Sequence, residues 1–170
     1  MIDAVDQQIL MIVQNNSRVS NVDIARQVGM APSAVLERVR KLETRGVIQA
    51  YETRINPKEV GLGLLAFVSV RTNERAGALS TAHLLAEIPE VQEVHHVAGE
   101  DCFLCKVHAA DTESLGRLLR EQFGTIPTIT STRTTIVLHT IKETAQLPVT
   151  PEDEFTNVEP VTSVMEEANA

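Results

Sequence analysis

Between Ser20 and Gly46 the chain reads SNVDIARQVGMAPSAVLERVRKLETRG, and the helix breakers inside this run leave it little conformational freedom. Gly29 ends one helical pattern and Pro32 starts another, so two short helices must meet across a tight turn. Ser20 is placed to cap the first helix, with Asp23 bonding back to the Ser20 N–H in a capping box. Ile24, Ala25 and Val28 supply an inward stripe, and Gly29 suits the left-handed residue that closes a helix. Pro32 fits a first helical position, where its missing N–H would go unpaired in any residue. Val35, Leu36, Val39 and Leu42 recur at helical spacing and are expected to be buried. Ser33, Glu37, Arg38, Arg40, Lys41 and Arg45 are then expected to point outward. A buried stripe behind and polar, cationic groups in front is the arrangement with which a helix–turn–helix reads DNA. The competing reading is a small helical pair whose charged face is only solvated.

The formal charge of −8 would oppose a nucleic-acid partner if it were evenly spread, and it is not. Residues 1–58 hold eight Lys/Arg against six acids, a net of +2. Residues 59–144 hold seven against eleven, a net of −4, and residues 145–170 hold no base and six acids, a net of −6. The amino-terminal segment therefore keeps a locally positive surface. Tryptophan is absent and aromatics are 3% of the chain, so any core is aliphatic. No apolar run is long enough to span a bilayer. The start, MIDAVDQQ, has acids where a secretory signal would have bases, so a cytoplasmic, nucleoid-associated protein is expected.

A first helix is predicted over residues 3–16, with Val5, Ile9, Leu10, Ile12 and Val13 mostly on one face. After Gly46, VIQAYETRIN reads as a short hairpin, which would complete a winged helix–turn–helix over residues 1–57. Residues 58–61 read as a linker or short turn. The period then changes. Strands are expected over 62–72, 91–98, 102–109 and 129–142, with helices over 76–88 and from an Asp111 cap to Gly124. The order β-α-β-β-α-β over residues 58–144 is a ferredoxin-like split βαβ arrangement, giving an α+β chain overall. The tail, 145–170, is rich in Pro, Glu and Thr and reads as acidic and disordered.

The strands at 62–72 and 102–109 are apolar on both faces, whereas two helices can cover one face of a four-stranded sheet. The other face needs a partner, and self-association into a homodimer is the preferred occupant, ahead of the tail or the amino-terminal domain. Cys102 and Cys105 form C-x-x-C, which suggests redox chemistry or zinc, but an offset of three on a strand puts the thiols on opposite faces. They read as small buried hydrophobes. His95, His96, His108 and His139 are scattered over the same sheet, so no metal site is assigned. No phosphate loop, catalytic triad or paired carboxylates can be made out, and an enzyme is not expected.

Taken together, VDQQIL, then SRVSNVDIARQVGMAPSAVLERVRKLETRGVIQAYETRINP, and later VHHVAGEDCFLCKV and TRTTIVLHTIKET closely resemble the Lrp/AsnC family of prokaryotic regulators. The resemblance covers roughly residues 2–144. It implies a winged helix–turn–helix followed by a βαββαβ regulatory (RAM) domain. It further implies dimers through the sheets that gather into tetramers or octamers, and a small effector, an amino acid or relative, bound between regulatory domains. No other cofactor is implied.

Transferred residue by residue, the recognition helix runs from Pro32 to about Arg45. Ser33, Ala34, Glu37, Arg38 and Lys41 are candidates for the major groove, with Ser20, Asn21, Pro32 and Arg40 beside them. Arg18, Arg45 and Arg54 are expected to meet phosphate of double-stranded DNA. Glu37 is expected to pair with Lys41 one turn on rather than with a base. The effector candidates are Val97, Ala98, Gly99, Glu100, Asp101 and Cys102, with Thr132 and Thr134 of the last strand. Here the sequence departs from the family. Where its amino-acid binders have Gly-acid-aromatic-Asp-aromatic, this chain has Gly99-Glu100-Asp101-Cys102-Phe103. The aspartate that holds the ligand's ammonium has moved one place. Alternatives are a metal- or thiol-responsive regulator using Cys102 and nearby histidines, or a ligand-independent DNA-organising protein.

Overall fold

The computed structural model describes residues 2–75 and 77–149, and these form two compact units: residues 2–52 with 144–149, and Thr53–Glu143. In the first, helices α1 (Ala4–Asn15), α2 (Asn21–Val28) and α3 (Pro32–Thr44) pack around Ile9, Ile24, Ala25, Val35, Val39 and Leu42. Two acids close a reciprocal capping box on α1: Asp6 N–H donates to Asp3 Oδ1 at 2.8 Å and Asp3 N–H to Asp6 Oδ2 at 3.4 Å. At α2 only half of the expected box forms. Ser20 Oγ accepts from Asp23 N–H, but the Asp23 carboxylate takes the Ser20 hydroxyl at 2.6 Å and Arg26 at 2.9 Å rather than the Ser20 N–H. A short Asp side chain engaged by two nearby donors is not left to reach the backbone. Gly29 ends α2 at φ 69°, in the left-handed region as expected.

The expected hairpin at 47–56 is not formed: among the described residues this segment contains no strand. Val47 and Ile48 donate their N–H groups to the Leu42 carbonyl, finishing α3, and pack on the helical core. Residues 49–56 are exposed and meet no facing strand. A lone two-stranded ribbon is marginal in water, and β-forming composition cannot substitute for a partner.

In the second unit, strands β1 (Leu64–Thr72), β2 (Val91–His96), β3 (Phe103–Ala109) and β4 (Ile129–Ile136) form an antiparallel sheet in the order β2-β3-β1-β4. Helices α4 (Ser80–Ala86) and α5 (Thr112–Glu121) cover one face. Leu85, Ile88, Leu115, Leu118 and Phe123 pack there on Ala66, Val68, Val70, Phe103, Cys105 and Val107. This is the split βαβ fold the element order predicts.

The elements are shorter than expected, for local reasons. α4 begins at Ser80 rather than at 76, because the Glu74 carboxylate takes the Ser80 hydroxyl and the Thr81 N–H and so fixes the first turn. β4 stops at Ile136, not 142: its neighbour β1 is used up once Val137 N–H reaches the Leu65 carbonyl, and no further strand is offered among the described residues. On the uncovered face Leu65, Phe67 and Leu104 remain half-buried, so these strands do carry apolar residues on both sides.

Candidate nucleic-acid interface and effector turn

α3 has no side-chain N-cap; Ala31 supplies only its carbonyl, and Pro32 removes one donor that would need an acceptor. With Val35, Val39 and Leu42 buried, Ser33, Glu37, Arg40, Lys41 and Arg45 lie on the exposed side, and Ala34 is half-buried between the two. Glu37 and Lys41 pair at 2.7 Å, as their spacing predicts, and the Lys41 ammonium holds the Glu37 carboxyl below its usual range. Arg18, Ser20 and Pro32 are exposed and Asn21 half-buried at the start of α2.

Two arginines are not where their positions in the sequence predict. Arg38 does not point outward. It is half-buried, and its Nη1 donates to Asp3 Oδ2 and Asp6 Oδ1, both at 2.7 Å. The same guanidinium therefore holds α3 against the capped start of α1. The Asp3 carboxyl lies below its ordinary range, first because it accepts the Asp6 N–H and then because of Arg38. Arg54 sits in the sheet unit, where it donates to the Glu143 carbonyl at 2.6 Å and pairs with its carboxylate at 2.7 Å. Neither partnership is local in sequence, so helical periodicity could not reveal it.

The β2–β3 turn is closed by Val97 N–H on the Cys102 carbonyl (3.0 Å) and tied to β1 by Cys102 N–H on the Val70 carbonyl (2.9 Å). Gly99 adopts φ 131°, which side chains rarely tolerate, and a Cβ built there would meet open space. Ala98, Gly99 and Glu100 are exposed, and Val97, Asp101 and Cys102 half-buried. Two arginines, not anticipated, dominate the turn. Arg71 reaches Glu100 at 2.9 Å and Asp101 at 3.8 Å, while Arg133 reaches Asp101 at 2.7 Å. Asp101 thus already has cationic partners, unlike an aspartate waiting for an ammonium. Thr132 and Thr134 stand opposite Val70 and Val68 in the ladder. They therefore share the helix-covered side and do not join Arg133 at the turn.

Cys105 lies in the core, where burial pushes its thiol up to about 11. Cys102 precedes β3, so strand alternation does not govern it; its sulfur accepts the Thr72 hydroxyl at 3.5 Å and packs at the edge of the same core. His108 is buried with Nδ1 3.0 Å from the Leu62 carbonyl oxygen, and His95 lies 3.1 Å from Glu93. Among the described residues, no three His, Cys, Asp or Glu side chains come together as a metal site. Beside α3, Tyr51 donates its hydroxyl to Glu43 at 2.9 Å, and burial, followed by that carboxylate, raises its phenol to about 12.

A helix–turn–helix with cations on its outer side, followed by a split βαβ sheet bearing a charged turn, defines a two-part DNA-binding regulator. The chain belongs to the Lrp/AsnC family of transcriptional regulators: residues 2–43 match the AsnC-type helix-turn-helix domain and residues 65–147 the Lrp/AsnC ligand binding domain. It is 34% identical over 150 residues to the leucine-responsive regulatory protein of Escherichia coli, covering 87% of this chain and 92% of that protein. A transcriptional regulator of Neisseria meningitidis, solved with L-methionine, superposes with TM-score 0.81 at 28% identity, covering 87% of this chain and 97% of that one. The feast or famine regulatory protein of Mycobacterium tuberculosis, also solved with L-methionine, gives 0.80 at 33% identity over 86% and 99%. Escherichia coli AsnC gives 0.78 at 27% identity over 84% and 96%. These relatives are transcriptional regulators rather than enzymes. No helix among the described residues is long and apolar enough to cross a membrane.

Proposed function

We propose that this chain is a cytoplasmic, sequence-specific regulator that binds operators through α3. A small amino-acid-like effector held near the Gly99 turn changes its assembly or its affinity. Residues 1–57 serve DNA and residues 58–144 serve effector and partner. The observation that carries the DNA reading is the exposed row Ser33, Glu37, Arg40, Lys41 and Arg45 in front of the buried Val35, Val39 and Leu42. Arg40 and Lys41 enter the major groove with Ser33 and Ala34, and Arg18 and Arg45 meet phosphate. Arg38 acts as a positioning residue through Asp3 and Asp6. The second copy seats on the uncovered sheet face, which the half-buried Leu65, Phe67 and Leu104 support. Leu138 and Ile141, 97% and 88% exposed beyond β4, add apolar surface for the same partner.

The effector class is supported by the relatives solved with L-methionine. Its chemistry in this chain is set by Arg71 and Arg133, so a carboxylate is the group it recognises. Fluorescence anisotropy on genomic fragments should give an affinity that falls linearly with salt on logarithmic axes. Arg40→Ala should relax sequence preference, whereas Arg38→Ala should weaken all sequences alike. A chain that ignores DNA at low salt overturns the reading. For the effector, a thermal-shift screen of amino acids and 2-oxo acids should find a compound that adds about 2.7 kcal/mol at 100-fold excess over its dissociation constant. If no compound shifts the melting temperature, or if Gly99→Val leaves the shift intact, the effector reading is overturned.

A further inference from the structure

After Glu143 the chain leaves the sheet unit and returns to the helical one, where it is fastened at the carboxy end of α1. The Gln14 side-chain amide forms a two-bond clip on the Leu147 backbone. Its Nε2 donates to the Leu147 carbonyl at 3.2 Å, and its Oε1 accepts the Leu147 N–H at 2.7 Å. Gln146 Nε2 adds bonds to the Gln14 carbonyl at 3.1 Å and to Asn15 Oδ1 at 3.3 Å. The match to the ligand binding domain ends at residue 147, so residues 148–170 lie outside it. They include Glu152, Asp153, Glu154, Glu159, Glu166 and Glu167 and no Lys, Arg or His.

We infer that residues 150–170 are a built-in competitor for DNA, launched from the Gln14 clip to occupy the cationic outer side of α3. The inference rests on the reading of α3 as the DNA-facing helix. Three observations on the helical unit support this occupant. Five of its six acids are already engaged, Asp3 and Asp6 with Arg38, Asp23 with Arg26, Glu37 with Lys41 and Glu43 with Tyr51, which leaves the exposed Glu52. Among the described residues, the guanidinium groups of Arg18 and Arg40 have no ion pair, leaving charge for an incoming polyanion to neutralise. Reach is not limiting either. Twenty-one extended residues span at most about 70 Å, against about 20 Å for the length of α3. Tethering also places the acids at an effective concentration on the order of millimolar, so a contact too weak to matter between separate molecules competes here.

The test compares four forms on one DNA fragment by anisotropy: the natural chain, the chain ending at Val149, Gln14→Ala, and both changes together. Removing the segment should tighten binding about 5- to 20-fold at low salt, with the gap closing as salt screens the acids. Gln14→Ala keeps a helix-favouring residue on α1 and should tighten binding about 2- to 5-fold, with no further effect in the shortened chain. A synthetic peptide of residues 150–170 at millimolar concentration should displace DNA from the shortened chain. Unchanged or weaker binding on shortening overturns the inference. So does a Gln14→Ala variant that behaves like the natural chain, which would mean general repulsion of DNA rather than docking. If the shortened chain binds DNA but Arg40→Ala leaves its affinity and preference untouched, the reading of α3 itself has failed.

Discussion

Ion pairs in the helical unit join close neighbours in sequence, Asp23 with Arg26 and Glu37 with Lys41, both exposed and one turn apart. In the sheet unit, apart from the neighbouring His95 and Glu93, they join distant segments: Arg71 with Glu100, Arg133 with Asp101, and Lys106 with Glu93 and Glu143. Pairs of the first kind contribute little to stability and can be surrendered cheaply to a phosphate. The Arg71 and Arg133 pairs tie β1 and β4 to the β2–β3 turn, so any anion that takes either arginine must release Glu100 or Asp101. One unit has charges ready to exchange with a partner, and the other has charges whose exchange rearranges the protein. The exception sharpens the rule, because Arg38 crosses between helices and is half-buried.

The largest effects should fall on the two cores. Phe103→Ala should cost about 3–5 kcal/mol and lower hydrogen-exchange protection in the sheet unit alone. Ile9→Ala should cost about 2–5 kcal/mol and do the reverse, abolishing DNA binding. Equal loss in both units from either change would show that they fold as one. Gly99→Val comes next, at about 1–3 kcal/mol, because the side chain must adopt a left-handed backbone, and its local exchange should rise at the β2–β3 turn.

A smaller effect should appear with acid. Lys106 holds the Glu143 carboxyl below its ordinary value of 4.5, and His95 and then Lys106 do the same for Glu93. A carboxyl that ionises more readily folded than unfolded stabilises the fold above its unfolded value, and this contribution is lost as pH falls through the lower folded value. Melting temperatures at about pH 5.5 and about pH 3 should therefore differ less in Lys106→Ala than in the natural chain. The smallest stability change belongs to Glu37→Gln, which should leave melting almost unmoved. It should nevertheless tighten DNA binding by freeing Lys41, and a large melting shift would mean that this pair is structural.

The legibility of the sequence divides along the same line. Gly29, Pro32 and the aliphatic spacing of α3 act over one or two turns, so the helix–turn–helix could be read directly. The sheet order came from element order and short connections. The hairpin at 47–56 misled because Val47 and Ile48 have strand character but found a helical core instead of a strand. The end of β4 depended on where β1 begins. At the effector turn, the displaced aspartate was visible in Gly99-Glu100-Asp101-Cys102, but the arginines that claim it were not. Arg71 and Arg133 meet Asp101 only because β1, β3 and β4 are in a particular register.

Tyr51 gives this chain an optical property of its own. It is the one tyrosine, and there is no tryptophan, so emission excited beyond the phenylalanine band originates beside α3. Its hydroxyl is held by Glu43 on that helix, so changes that part the two should alter the emission, while Phe67, Phe103 and Phe123 of the sheet unit are not excited beyond the phenylalanine band. A partner that docks on α3 can therefore be followed without a label, by exciting where only Tyr51 absorbs.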